Sequence, residues 1–527
     1  MTGSRAYSLL NAKTSFRLFY PVLIIILLLP GKLLAQEKLP DVSVSLPRQT
    51  NTVYSLLNQI SRESGFFFIY DSDVIDNNRR VSIRRNNQVI SQWLDVILDD
   101  PSLQMRVIQR HILVFRTDAE PIQAMPAPEH QKINPWFTIR GRVSDQVNGN
   151  PLPYASVGIP EKGFGISTNL DGFFQLRVPN EFIDKSLRIS HLGFKTQEIP
   201  LHLLRDQFVD VIMETEYISM QEVVIRYYDP TAIVFQMLEK IEQNYGNKPV
   251  SLLSFYREGV KRNNKYLNFS EAVFRVFKAP VNAPYDDQVM VVKARNIINA
   301  DHTDTLVLKL RSGVQSSLQL DIMSKLPDFL DPEFIDDYDF IRADIVTRNN
   351  RSLYAIEFAQ KRIIRGPLFM GTLFIDTEDL ALVEADFEIN QKYINQARDQ
   401  FFVRRIQSFV PIIERANYTI SYQKFNGRYY LKHVRGELSL KIRRRNSLFN
   451  NHYFAFIEMA VGQIDDQDVN RFSRREVLSP RTTFVDLGYK YDDGFWGEFN
   501  VITPEKEIME AFSGVKAKIE SFENGGE

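Results

Sequence analysis

The stretch that decides the fold is residues 139–178, IRGRVSDQVNGNPLPYASVGIPEKGFGISTNLDGFFQLRV. Short runs of alternating apolar and polar residues occur at 138–143, 155–159 and 173–178. Turn residues separate them: 148–151 (Asn-Gly-Asn-Pro) and 169–172 (Asn-Leu-Asp-Gly) tolerate positive φ or fix φ near the proline value. Short alternating strands with explicit turns are typical of an antiparallel sandwich, so the stretch predicts a small β-sandwich and no active site.

The order of motifs in this stretch is more specific than its strand pattern. G-x-V-x-D is followed by P-L-P-x-A-x-V, by G-x-x-T-N-x-D-G-x-F and by ISHLGF at 189–194. This order resembles the carboxypeptidase-regulatory-like domain, which is familiar at the N-terminus of TonB-dependent outer-membrane receptors of Bacteroidota. The resemblance covers 137–226 and implies a non-catalytic, transthyretin-like sandwich. Its structural motif residues here are Gly141, Asp145, Pro151, Pro153, Ala155, Gly165, Thr168, Asn169, Asp171, Gly172, Phe174 and Gly193.

Length and composition set the outer limits. A chain of 527 residues is expected to hold about three domains. The hydrophobic fraction of 44% allows sizeable cores, and the net charge of −1 gives no argument for nucleic-acid binding. Cysteine is absent, which excludes disulfides, thiolate metal sites and lipid attachment to an N-terminal cysteine.

Residues 1–35 have the pattern of a signal peptide. Arg5, Lys13 and Arg17 precede an apolar run at 19–29, and Ala35 offers a small residue at the cleavage point. A retained anchor is the alternative, but the run is short for a membrane span. We therefore expect an exported protein of the periplasm, at the inner face of the outer membrane, without a transmembrane helix in the mature chain.

Residues 38–118 predict a small α+β domain. Val53, Leu56, Leu57 and Ile60 share one helix face ahead of Gly65, a strand follows at 66–70, and a second apolar helix face at 90–98 precedes a hairpin at 103–115. The order resembles the secretin and TonB N-terminal domain, which implies a periplasmic interaction module. Any small α+β domain is the alternative. Residues 119–136, with four prolines, predict an extended linker that acts as a spacer. The sandwich itself is expected to be a rigid spacer that joins the N-terminal domain to the C-terminal sheet.

After the sandwich, Asp229 and Pro230 predict the start of a connecting helix at 227–249, with Ile233, Met237, Ile241 and Tyr245 as its core stripe. Residues 250–503 alternate as antiparallel strands, with hairpins around the Asn-Gly pair at 426–427 and around 376–379. The second hairpin, GTLFIDTEDLALVEADFEI, resembles the repeat of lipoprotein-carrier half-barrels, which implies a curved sheet able to hold an acyl chain. A plain antiparallel domain without a ligand stays open.

Residues 504–527 predict a C-terminal amphipathic helix and a polar tail, because Ile508, Phe512, Val515 and Ile519 recur at helical spacing. Such an ending supplies no closing strand for an outer-membrane barrel. The predicted fold class is therefore multidomain and mainly β: a small α+β N-terminal domain, an antiparallel β-sandwich, then a β-rich or half-barrel domain with flanking helices.

No chemical motif stands out. The sequence has no H-E-x-x-H, G-x-S-x-G, P-loop or G-x-G-x-x-G pattern, so we predict no catalytic residues, no cofactor and no metal. Residues 163–165 are interpreted as a turn, and His191 as a structural imidazole. The acidic clusters at 336–339 and 465–468 are interpreted as solvated loops. The arginines at 404–405 and 443–445 are interpreted as exposed strand ends, and Trp496 as an apolar lid over the sheet.

The leading hypothesis is a non-enzymatic periplasmic or outer-membrane-associated binding or scaffold protein. Its partner would be an envelope protein or an apolar, lipid-like ligand, with TonB-system contact through the N-terminal domain as a further option. The alternative is a TonB-linked outer-membrane receptor or transporter component. An envelope hydrolase is a third hypothesis, for which no nucleophile and base can be named.

Overall fold

The computed structural model of the chain describes residues 41–70, 75–76, 79–84, 86–108, 111–116, 135–216, 229–298, 313–348, 351–402, 409–444, 450–479, 499–506 and 508. Within these ranges the protein is mainly β, with several antiparallel sheets and a few helices, which confirms the predicted fold class. The predicted signal peptide, nearly all of the linker, residues 221–225, 404–405, 445 and 496, and most of the 504–527 segment lie outside them. No helix of the described part combines the length and apolar character that a membrane span needs.

The N-terminal module has two amphipathic helices packed on short strands. Thr52 caps the first helix by accepting a hydrogen bond from the Ser55 amide (3.2 Å), and the helix ends before Gly65, as its sequence predicts. Trp93, buried on the second helix, donates its indole hydrogen to the Val44 carbonyl (2.9 Å). The elements are β1 (Ser43–Leu46), β2 (Gln49–Thr52), α1 (Val53–Ser64), β3 (Phe67–Tyr70), β4 (Arg80–Ile83), β5 (Asn86–Val89), α2 (Ile90–Leu98), β6 (Leu103–Ile108) and β7 (His111–Arg116).

The sandwich follows as two layers around one apolar core. Gly141 lies where the Phe174 ring crosses the sheet: a Cβ there would be 2.7 Å from that ring and 2.3 Å from the Val209 carbonyl oxygen, so only glycine fits. Short 3₁₀ helices at Pro160–Lys162, Asn180–Phe182 and Leu201–Leu203 join its strands. These strands are β8 (Trp136–Asp145), β9 (Ser156–Ile159), β10 (Phe164–Ser167), β11 (Phe173–Pro179), β12 (Ser186–Ser190), β13 (Gln197–Pro200) and β14 (Phe208–Met213).

The sandwich is joined to its neighbours by strand pairing, which goes beyond the spacer role expected from the sequence. On one side β14 pairs with β8 and with β3, so that one six-stranded sheet runs through both modules in the order β11-β8-β14-β3-β7-β6. Asp210 of β14 accepts hydrogen bonds from Asn58 Nδ2 (2.7 Å) and Tyr54 Oη (3.2 Å) across this junction. Burial raises the pKa of Asp210 to about 6.

The predicted connecting helix forms in two parts, α3 (Pro230–Glu239) and α4 (Ile241–Asn244). Asp229 caps it by accepting from the Thr231 amide (3.0 Å), and Pro230 takes the first helical position. The predicted stripe of four apolar residues is buried, in agreement with its core assignment. The break at Lys240 differs from the single helix expected, because the Lys240 amide there bonds the Met237 carbonyl three residues back.

The rest of the described chain forms a large antiparallel sheet with short helices on one face. Its segments are β15 (Val250–Arg262), β16 (Lys265–Lys278), β17 (Gln288–Ile298), α5 (Gly313–Gln319), a 3₁₀ helix at Ile335–Asp337, β18 (Tyr338–Arg348), β19 (Arg351–Gln360), β20 (Phe369–Asp376), β21 (Leu382–Ile389), a 3₁₀ helix at Ile394–Gln400, β22 (Phe409–Phe425), β23 (Arg428–Arg444) and β24 (Asn450–Asp465). Strands β18 to β24 are neighbours in sequence order, and β24 then pairs with β15, which leads to β16 and β17.

Both predicted hairpins of this region are present. Strands β22 and β23 meet at Asn426 and Gly427, which both have positive φ, as a two-residue hairpin turn requires. Strands β20 and β21 flank the turn at 376–379. The sheet also receives β10 of the sandwich, through a pairing of Phe164 with Gln463 on β24. The sandwich is therefore continuous with the β structure on both of its sides.

Candidate functional site

The two faces of the large sheet carry different chemistry. One face, called here the helix face, packs against α3, α4, α5 and the segment 320–335 through the largest apolar core of the molecule. The opposite face packs against the sandwich through Phe255 and Ala460. Because strand residues alternate in direction, Tyr256 and Glu258 belong to the helix face, whereas Phe255 and Arg257 belong to the opposite face.

A cavity of about 390 Å³ lies on the helix face, between α5 and the strands. Two rows of cross-strand neighbours form its floor. The first row runs from Glu258 through Ile457, Gly436 and Tyr418 to Phe387. The second row, one side-chain level away, has Asn268, Val260, Ala455 and Leu438 on four adjacent strands, and the pair Ile389 and Phe369 beyond β22. Gly436 and Ala455 occupy the middle of this floor and add no bulky side chain to it.

The far wall of the cavity is the segment that follows α5. Leu320, Ile322 and Pro327 line it, and buried polar contacts fix it to the sheet. Asp321 accepts a hydrogen bond from Tyr422 Oη (3.0 Å) and forms an ion pair with Lys278 Nζ (2.7 Å). Such paired buried contacts hold a segment in one position, so the wall is built into the fold.

One end of the cavity is aromatic. The rings of Phe387 and Tyr418 stack with centroids 5.2 Å apart, and Phe369 meets Phe387 edge-on at 5.4 Å. Offset and edge-to-face pairs of this kind are favourable ring geometries. This end therefore offers an apolar, rigid surface.

The other end is polar and only partly satisfied. Tyr256 Oη donates to Glu258 Oε2 at 2.5 Å, and Gly313 of α5 lies against both groups. Burial raises the pKa of Glu258 above its ordinary value. Asn268 is 2% exposed, and its Oδ1 has no hydrogen-bond partner. This end of the cavity therefore lacks a donor for Asn268 Oδ1. A buried acceptor without a partner lowers the stability of the fold by about 1–3 kcal/mol.

The opposite face carries a row of buried charges across five adjacent strands. Cross-strand neighbours alternate in sign along it, in the order Arg295, Glu271, Arg257, Glu458 and Arg435. Arg257, fully buried, donates to Glu458 Oε2 at 2.5 Å, and Arg295 contacts Glu271 at 2.5 Å. Although burial opposes ionisation, Arg257 and Arg435 hold the pKa of Glu458 below its ordinary range. We call these five residues the ionic row.

Residues 499–506 close the ionic row and are named here the strap. Glu505 of the strap accepts from Arg257 Nη2 at 2.6 Å and Nη1 at 3.1 Å, a two-point contact. Asn500 exchanges hydrogen bonds with the backbone of Arg177 on β11 (2.6 and 3.1 Å). Helical residues begin at Lys506, two positions after the start predicted from Pro504. The strap thus fastens the sandwich to the large sheet.

The motif residues of the sandwich fall into three groups. Asn169 and Asp171 bind the strap: Asn169 Nδ2 donates to the Thr503 carbonyl (3.0 Å), and Asp171 accepts from the Lys506 amide (3.1 Å). Thr168 joins the chain to itself, by donating to the Leu152 carbonyl (2.6 Å) and accepting from the Ala155 amide (2.9 Å). The others shape turns and core: Gly141, Asp145, Pro151, Pro153, Gly165, Gly172, Phe174 and Gly193.

Other sequence interpretations have mixed outcomes. Gly163 lies at a turn, but Gly165 lies inside β10, so the predicted turn at 163–165 is too long. His191 is a structural imidazole: its ring nitrogens contact the carbonyls of Leu192 and Pro153 at 3.1 Å, and burial lowers its pKa. The clusters at 336–339 and 465–468 are mostly exposed. Within the described ranges, no three His, Asp or Glu side chains are grouped so as to hold a metal ion.

The cavity and the ionic row were both missed from the sequence. The local signal for the row was Glu458 inside the apolar run FAFIEMAV, where a charge needs a partner. Arg257 lies 201 positions away, so the sequence pattern could not name it. The cavity depends on which residues stand side by side on different strands, which local pattern does not determine.

Comparison with known proteins supports one part of the chain. Residues 139–225 match the CarboxypepD_reg-like domain family, which confirms the predicted sandwich domain. No curated protein matches the chain in sequence. The secretin and TonB N-terminal resemblance of 38–118 stays a prediction.

Solved structures give weak likenesses only. A DUF1329 family protein from Desulfovibrio piger has a TM-score of 0.21 and 14% identity, over 46% of this chain and 96% of that one. A structure of lipovitellin, described for its lipid–protein interactions, has a TM-score of 0.22 and 8% identity, over 47% of this chain and 28% of that one. A protein of unknown function from Bacteroides fragilis has a TM-score of 0.13 and 10% identity, over 63% of this chain and 99% of that one. Scores this low carry no inference about this chain.

Proposed function

We propose that this protein is a non-enzymatic binding protein of the cell envelope, which takes an apolar, chain-shaped ligand into the cavity on the helix face. The observation that carries the proposal is the cavity itself: a floor with Gly436 and Ala455 at its middle, between an aromatic end and a polar end. Ligand sites are commonly concave, mostly apolar and supplied with a few polar groups, at volumes from about 300 Å³ upward.

The shape of the floor favours a chain over a compact ligand. From Phe387 on β21 to Glu258 on β15 it crosses four strand-to-strand steps, about 19 Å at the usual strand spacing. A cavity of this length suits an extended ligand better than a compact one. An acyl or alkyl chain has the matching form, and its burial against the aromatic end supplies the driving force.

The location in the periplasm at the outer membrane is part of the proposal. It is supported by the signal-peptide pattern of 1–35. The regulatory-like sandwich also supports it, because it resembles a domain that is familiar in outer-membrane receptors. Fractionation of cells tests the location. Recovery of the mature protein in the cytoplasm would refute it, and resistance to urea extraction together with heat-modifiable migration on gels would favour the alternative of an outer-membrane receptor component.

Filling the cavity tests the binding function. Ala455→Phe places a ring over the middle of the floor, and we expect it to weaken the binding of the neutral fluorescent probe N-phenyl-1-naphthylamine at least tenfold. Val292→Phe, an exposed position on β17 of the same sheet, is the matched control and should bind like the wild type. Equal binding by both variants, with both folded, would place the ligand elsewhere and refute the proposal.

A further inference from the structure

The polar end of the cavity restricts the chemistry of the ligand's head group. Asn268 Oδ1 is a buried acceptor without a partner, on the same floor that Glu258 shares. A carbonyl oxygen in this state is satisfied by an O–H or N–H donor. A head group that only accepts hydrogen bonds would leave it unsatisfied.

The second restriction is charge. Among the lining residues that the structure describes, Lys325 is the only base; its side chain is half exposed, and its ammonium pairs with Asp286 at 2.9 Å. It is therefore placed toward solvent and already neutralised. A carboxylate entering the cavity would find no cation to pair with and would face the Asn268 carbonyl oxygen, and an unpaired buried charge is costly.

Building on the function proposed above, we propose that the cavity selects a neutral amphiphile whose polar end carries a hydroxyl or amide N–H donor, and that Asn268 and Glu258 hold that donor. The corresponding carboxylate is rejected. Long-chain alcohols, monoacylglycerols and primary fatty amides belong to the accepted class, and fatty acids in their ionised form do not. The aromatic end holds the alkyl tail of either class, so selection rests on the head group alone.

The state of Glu258 agrees with this selection. Burial raises the pKa of its carboxyl, which favours the neutral form that can both donate and accept a hydrogen bond. Tyr256 Oη already donates to Oε2 and orients the group. A hydroxyl head group can then accept from one side chain and donate to the other.

Competition between matched ligands tests the proposal. The full mature chain, purified without detergent, is loaded with the neutral probe N-phenyl-1-naphthylamine at pH 7.5 and titrated with 1-hexadecanol or with hexadecanoate. We expect hexadecanol to displace the probe at a concentration at least tenfold lower. Equal potency, or a preference for hexadecanoate, would overturn the head-group inference while leaving the cavity as an alkyl site. Failure of both ligands, with the probe bound, would refute the proposed function itself.

Variants of Asn268 assign the selection to this residue. Asn268→Leu should reduce the preference for hexadecanol to less than threefold, because the acceptor is gone. Asn417→Leu is the matched control, since Asn417 on β22 also has an unpartnered buried Oδ1 but belongs to the opposite face of the sheet. Asn268→Ala removes the same acceptor without added bulk and serves if the leucine variant does not fold. A preference that survives in the Asn268 variants, or is lost in Asn417→Leu, contradicts the assignment.

Discussion

Arg257 and Glu258 are adjacent in sequence, yet they lie in opposite electrostatic situations. Arg257 belongs to the ionic row and contacts Glu458 and Glu505 in full burial. Glu258 faces the cavity and is contacted by a tyrosine hydroxyl. The same strand thus places Arg257 beside oppositely charged partners. It places the next residue, Glu258, where none of the described residues offers an opposite charge.

The contrast shows how the two faces divide their tasks. In the ionic row of the opposite face each charge is met by an opposite charge on the next strand, and Glu505 of the strap adds to it. On the helix face a polar end is left partly unsatisfied beside an apolar channel, the condition expected of a site that awaits a ligand. Substitutions on the two faces should therefore have different consequences.

The largest effect is expected from breaking the ionic row at its centre. Arg257→Met removes the guanidinium that contacts Glu458 and Glu505, and should lower the free energy of unfolding by about 3–5 kcal/mol, because buried carboxylates lose their main cation. Denaturant unfolding of the full chain measures it. The triple variant with Glu458→Gln and Glu505→Gln should recover much of the loss. A loss below about 1 kcal/mol for Arg257→Met would mean that the row contributes little.

Releasing the strap should have an intermediate effect. Glu505→Ala removes a two-point contact to Arg257 and should cost about 1.5–3 kcal/mol, the range of hydrogen bonds to charged groups. Hydrogen–deuterium exchange should rise at 499–506 and at the Arg177 amide, which bonds Asn500. The control is Glu437→Ala, because Glu437 contacts Arg435 where the carboxylate is partly exposed. This substitution should lower the free energy of unfolding by less than about 1 kcal/mol. Unchanged exchange in Glu505→Ala would show that other contacts hold the strap.

The smallest effect is expected at Glu258, and its pH dependence has the opposite sign from that of Glu458. Burial raises the pKa of Glu258 above 4.5, so the stability it contributes is present below pH 4.5 and is lost as the pH rises through its folded pKa. Because the pKa of Glu458 is lowered, its contribution is present above pH 4.5 and is lost as the pH falls.

Glu258→Gln should therefore raise stability at pH 7 by on the order of 1 kcal/mol and remove part of its decline above pH 4.5. Thermal unfolding of the wild type and the variant between pH 4 and 8 provides the measurement. Destabilisation by Glu258→Gln at pH 7, with no change in the slope, would show that the carboxylate is well satisfied and would weaken the contrast between the two faces.

Features encoded by neighbouring residues were predictable. The Asn-Gly hairpin at 426–427 and the helix start at Asp229 and Pro230 follow from local turn and cap chemistry, and the structure confirms both. The sandwich was predictable because its motif order is specific. The break at Lys240 carries no proline or glycine signal. The cavity floor depends on Gly436 standing beside Ile457 and Tyr418, which only the register of distant strands determines.

The strap also has a consequence for the order of folding. Its contacts join residues 323 to 335 positions apart in the sandwich and 248 apart in the sheet. Arg257 and Asn169 can reach their folded positions before Glu505 and Thr503 meet them, so the row stays open until the strap docks. Contacts of such sequence separation form slowly. Completion of the joint is therefore a late folding event, and until then the partly folded sheet exposes a cationic centre.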